Sequence, residues 1–212
     1  MSRVAALAVV LASLAGHADA GPTHAEALSA LTAPDVEARR LGAAALAGEG
    51  TEGDVPALIQ ALRDPDRGVR ALAENALWAV WSRSGDAGID RRLELGVAQL
   101  RDHQLEASVE TFSAIIADRP DFAEAWNKRA TAYYVLGDWR RSAADCDETL
   151  ARNPQHFGAL SGYGMIWLQL DEPARALERF EQALAVNPNL ASVRDTIDAL
   201  RELLRRERGS EI

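Results

Sequence analysis

Hydrophobic and small residues return to one helical face along most of this chain. Trp126, Arg129, Ala130 and Tyr133 stand at i, i+3, i+4 and i+7, the spacing of one side of an α-helix. Residues 191–206, ASVRDTIDALRELLRR, predict an amphipathic helix, and VPALIQALRD over 55–64 predicts another. The chain opens differently, with an uninterrupted apolar run from Val4 to Leu14 that is too short to cross a bilayer. Arg3 precedes that run and Ala18-Asp19-Ala20 follows it, the pattern of a secretory signal peptide over residues 1–20. Cleavage after Ala20 is expected, giving a periplasmic or secreted bacterial protein. No other stretch approaches membrane-spanning length, so no stable membrane insertion is expected after cleavage.

Longer periods organise these helices. Arg119-Pro120, Asn153-Pro154 and Asn187-Pro188 place their prolines 34 residues apart. Superimposing 89–122, 123–156 and 157–190 aligns Gly96, Ala130 and Gly164, then Ser108, Ser142 and Ala176, then Phe112, Cys146 and Phe180. Small residues let two helices cross closely, and each proline ends a helix because it cannot extend the hydrogen-bond ladder. Gly137-Asp138 breaks between helices, and Pro173 fits a first helical turn. The three segments resemble tetratricopeptide (TPR) repeats, the middle one most closely through Trp126, Ala130, Tyr133, Gly137 and Pro154. Residues 191–212 then supply a capping helix, which a stacked array needs to cover its last apolar face.

Upstream, PDVEARRLGAAAL (34–46) matches PDRGVRALAENAL (65–77) at an offset of 31. Asp35 and Asp66 are placed to cap helix N-termini, with Arg39 and Arg70 one turn in. The match resembles a pair of short HEAT-type repeats over 21–88, with Trp78 and Trp81 at the joint to the following repeats. The fold expected is therefore all-α: a right-handed α-solenoid of helical hairpins, with two HEAT-like repeats, three TPR repeats and a cap.

Composition narrows the function. A formal charge of -9 lacks the basic footprint that nucleic-acid binding requires. There is no phosphate loop, no nucleophile elbow and no HExxH, and the histidines after residue 20 fall in separate units, so neither an enzyme nor a metal or cofactor site is expected. An enzyme built on His156 with Ser161 is the least favoured reading. The single cysteine, Cys146, aligns with Phe112 and Phe180 and reads as a buried small hydrophobe.

What remains is a binding surface. The resemblance to TPR arrays implies that the first helix of each hairpin lines a concave groove. The rows are then Asp90, Glu124, Gly158; Leu93, Asn127, Ser161; Glu94, Lys128, Gly162; and Val97, Thr131, Met165, with Tyr134 and Leu168 a turn on. From these we take Glu124, Asn127, Lys128, Thr131, Tyr134, Gly158, Ser161, Gly162 and Met165 as a peptide-binding groove. Asn127 beside Lys128, the only lysine in the chain, suits a peptide backbone or carboxylate. Gly158 and Gly162 each weaken a helix, which fits close approach by a ligand, or by the capping helix or the chain's own N-terminal part. The dicarboxylate-clamp pattern of chaperone-binding TPR domains is absent. Arg129 stands where a side chain turns inward, and Asp145 or Asp147 is its expected structural partner. Two functions follow: a scaffold that binds another protein or peptide in the groove, or a structural adaptor that uses the HEAT-like half or an array edge, its groove filled by its own chain.

Overall fold

A computed structural model describes residues 21–210 of the chain, and among these there are helices and no strands. The leader expected over residues 1–20 lies outside the described residues. The helices are α1 (His24–Ala30), α2 (Val36–Glu49), α3 (Val55–Ala61), α4 (Arg67–Trp81), α5 (Ala87–Arg101), α6 (Leu105–Asp118), α7 (Ala123–Val135), α8 (Trp139–Arg152), α9 (Phe157–Gln169), α10 (Pro173–Val186) and α11 (Ala191–Ser210). Two compact units divide within α4, between Ala76 and Leu77.

In the first unit the 31-residue offset is visible atom by atom. Asp35 accepts from Ala38 N and Asp66 from Val69 N, each at 2.9 Å, so the same residue type starts α2 and α4. Arg39 Nη1 donates to the carbonyls of Ala33 and Pro34, and Arg70 Nη1 to those of Asp64 and Pro65. Arg39 also grips Asp64 at 2.7 Å, and Arg40 holds Asp66, whose carboxyl is drawn down to about 2 chiefly by that hydrogen bond. Leu46, Leu58, Leu62 and Val69 form the fully buried core of this unit.

The second unit stacks three helical hairpins, α5–α6, α7–α8 and α9–α10, with α11 packed on the last. Each hairpin turns through one residue in the left-handed region: His103 (φ 57°), Gly137 (φ 77°) and Asp171 (φ 58°). The next backbone N–H then reaches back to the preceding helix, as Asp138 N does to Tyr133 O at 2.9 Å, so the turn satisfies otherwise orphaned carbonyls. Helix crossings follow a size rule. A Cβ on Gly96 would lie 2.4 Å from Phe112 Cε1, and one on Gly164 would lie 2.6 Å from Phe180 Cε1. The middle repeat carries Ala130 at the same register and sets the smaller Cys146 where the others have phenylalanine. Among the described residues no helix is long and apolar enough to cross a membrane.

Candidate functional site

The face of α7 and α9 that carries the residues singled out from the sequence divides into a closed part and an open one. The closed part centres on Glu124, whose side chain is fully buried in the first turn of α7. Its Oε2 accepts from His156 Nε2 and from Asn127 Nδ2, both at 2.9 Å, and its Oε1 lies 3.0 Å from Lys128 Nζ. His156 is the N-cap of α9 and is itself fully buried. Its Nδ1 accepts the Ala159 N–H at 3.0 Å, so the ring proton must sit on Nε2, where it donates to Glu124. Burial pushes the Glu124 carboxyl up, but the His156 hydrogen bond and the Lys128 charge outweigh it and hold the group below its usual range.

Aromatic rings from the end of α4 close over this cluster. Trp81 stacks on the His156 ring with centroids 4.5 Å apart, and Trp78 meets His156 edge-on at 5.4 Å and Phe157 at 5.1 Å. A Cβ added to Gly158 would stand 2.3 Å from Trp78 Cη2, so this glycine makes room for the chain's own indole. Lys128 Nζ lies 5.5 Å from the Trp78 ring centre, within cation–π reach. The odd Asn-Lys pair of α7 is therefore spent largely inside the protein.

The open part is a cavity of about 130 Å³ lined by Asn127, Ala130, Thr131, Tyr134, Ser142, Cys146, Gly158, Ala159, Gly162, Met165 and Ile166. Thr131 and Met165 are exposed at its rim, while Ala130, Ser142, Cys146 and Ile166 are buried beneath it. Gly162 would carry a Cβ into open space, with nothing within 4 Å. The volume traces to the size rule at the helix crossings: Cys146 stands where Phe112 and Phe180 fill the other two repeats. Burial pushes the Cys146 thiol up to about 12, so it acts here as an apolar wall.

Six of the nine groove residues named from the sequence thus line one cavity: Asn127, Thr131, Tyr134, Gly158, Gly162 and Met165. The other three do not. Glu124 is sealed, Lys128 is paired with it, and Ser161 returns its hydroxyl to the Phe157 carbonyl at 2.8 Å. Leu93, aligned in the same rows, is a core residue 4% exposed. Asp90 accepts from Ser84 N and Oγ at the start of α5. Arg129 makes a two-pronged bond to Asp145, at 2.8 and 2.9 Å, and a third to Ser113 Oγ, whereas Asp147 accepts from Tyr163. Sequence reasoning missed the Glu124–His156 pair. The available signal was that His156 aligns with Phe122 and Leu190, a lone polar residue in an apolar row.

Among the described residues no group of three His, Cys, Asp or Glu side chains could hold a metal ion. The tetratricopeptide repeat model matches residues 93–156 and 127–191. A TPR repeat-containing protein of Rhizobium etli is 31% identical over 142 residues, 67% of this chain and 69% of that protein. Among solved structures, the first TPR of Spaghetti (RPAP3) bound to an HSP90 peptide has a TM-score of 0.54 at 19% identity, covering 55% of this chain and 93% of that one. The Sgt2 TPR domain from Aspergillus fumigatus has a TM-score of 0.55 at 18% identity, covering 60% of this chain and 86% of that one.

Proposed function

This chain belongs to the tetratricopeptide repeat family, and we propose that it is a non-enzymatic scaffold of the bacterial cell envelope that binds a polypeptide segment between α7 and α9. One observation carries the reading: a cavity with an exposed rim and a buried floor, held open by Gly162 and by Cys146 in place of a phenylalanine. At about 130 Å³ it lies far below the roughly 300–1,000 Å³ of small-molecule pockets, and suits a single side chain of a longer ligand. The fold shared with a domain solved around a peptide is in keeping with this use. The envelope location rests on the leader pattern of the first twenty residues. The HEAT-like reading of the N-terminal unit rests on the matched Arg39 and Arg70 contacts.

A second reading has its own support. Trp78 occupies the face of Gly158 and closes that part of the groove from within, as a structural adaptor with a self-filled groove would require. Selection of a displayed peptide library on the full chain separates the two. The scaffold reading expects peptides whose binding drops at least about tenfold when Gly162→Leu fills the cavity, with the melting temperature held. Peptides that bind the variant equally well, or no peptides at all, would leave the adaptor reading standing.

A further inference from the structure

The geometry points to a ligand class: we infer that the cavity takes one aliphatic side chain from the interior of a polypeptide, whose backbone N–H donates to Asn127 Oδ1, and not a C-terminal carboxylate. This rests on the scaffold reading above and specifies what the scaffold accepts.

Charge decides the first half. A carboxylate tail needs an unspent cation, and Lys128 is the only lysine at this site. Its Nζ is 3.0 Å from the Glu124 carboxylate, which stays ionised because burial is outweighed by its donors. The pair is neutral as a unit, and its carboxylate side chain is wholly buried, so a second carboxylate brought to it would meet no net attraction. Arg129, the neighbouring cation, is held by both oxygens of Asp145.

Hydrogen bonding decides the second half. Asn127 is 7% exposed and lines the cavity. Glu124 can only accept, so the amide must present Nδ2 to it, at 2.9 Å, and that fixes which way the group is turned. The atom left over is the carbonyl Oδ1, which accepts no hydrogen bond from the described residues. It is an acceptor, and the commonest neutral donor on a polypeptide is its backbone N–H. Size and lining decide the rest. A cavity of about 150 Å³ with apolar walls takes a benzene-sized group. This one, at about 130 Å³ over Ala130, Cys146, Ala159 and Ile166, fits leucine or methionine.

The test uses two displayed libraries on the full chain, one of nine-residue segments flanked on both sides by fixed Gly-Ser and one ending in a free carboxylate. The flanked library is expected to yield binders sharing one aliphatic position. Their affinity should change less than about twofold between low and high salt, because no charge pair is made. N-methylation at one backbone position should cost roughly five- to tenfold, the loss of one hydrogen bond. Binding should fall at least about tenfold in Ala130→Gly/Cys146→Phe, which gives the middle repeat the pattern of its neighbours and fills the floor. If that variant melts early, Gly162→Leu fills the same space from the rim. Binders that require a free carboxylate, weaken with salt and fail on Lys128→Met would overturn the ligand class and leave the groove reading intact. Binders indifferent to both filled variants would overturn the groove reading and the ligand class together. Self-association of the free chain that Gly162→Leu abolishes would make a second copy the occupant, and would equally overturn an aliphatic segment from a foreign chain.

Discussion

Two glycines one turn apart on α9 provide the sharpest test of how the groove is divided. Replacing a helical glycine by alanine contributes about 0.8–1 kcal/mol through lower backbone entropy in the unfolded chain, and that gain is common to both sites. At Gly162 nothing lies within 4 Å of the new Cβ, so Gly162→Ala should stabilise by about that amount. At Gly158 the Cβ would stand 2.3 Å from Trp78 Cη2 and 3.1 Å from Cζ2. The indole cannot swing away freely, because Trp81, His156 and Phe157 surround it at 5.1–5.7 Å. Overpacking of this kind costs roughly 1–3 kcal/mol, so Gly158→Ala should be neutral to about 2 kcal/mol destabilising. The difference between the two variants isolates the clash, and corresponds to several degrees in melting temperature. All 5 tryptophans belong to the second unit, so their fluorescence in a urea titration follows that unit alone. Gly158→Ala should regain its stability in a Trp78→Leu background. Equal stabilisation by both substitutions would refute the closure of the groove by Trp78.

Further outcomes follow from the buried polar groups. Arg129→Ala leaves Asp145, 4% exposed, without its two-pronged partner, and should cost about 3 kcal/mol in urea unfolding, with Asp145→Asn in the same background recovering part of it. Because the folded state holds the Glu124 carboxyl below its unfolded value, its stabilisation is complete above about pH 4.3 and is lost as pH falls through the lower folded value. Glu124→Gln should therefore be less stable than the parent at neutral pH, with the gap closing below about pH 4 in melts run across the acid range. Cys146, with its thiol pushed up to about 12, should resist iodoacetamide at pH 8 in the native protein and react fully in guanidinium. Rapid native labelling would mean the cavity floor opens.

Sequence by itself determined the helices, the 34-residue repeat and the residues at each crossing. Those features are local or periodic: a helical face repeats every turn, a proline stops it, and Gly96, Ala130 and Gly164 return at fixed register. The rim of the cavity was legible for the same reason, since Thr131, Tyr134, Gly162 and Met165 take their directions from their own helices. Tertiary structure alone decided which polar groups stay free. Asn127 and Lys128 look like ligand-binding groups along the sequence, and Gly158 looks like an opening for a ligand. Their roles change because His156, at the start of α9, and Trp78, from α4, close over Glu124 and its two neighbours on α7, and over Gly158. Glu124 takes two of its donors one turn along its own helix, but its burial and its third donor, His156, come from 32 residues away, and helical periodicity carries no record of that distance. Sequence therefore picked out helix positions that line the cavity, while burial and charge pairing decided which of the others were closed off.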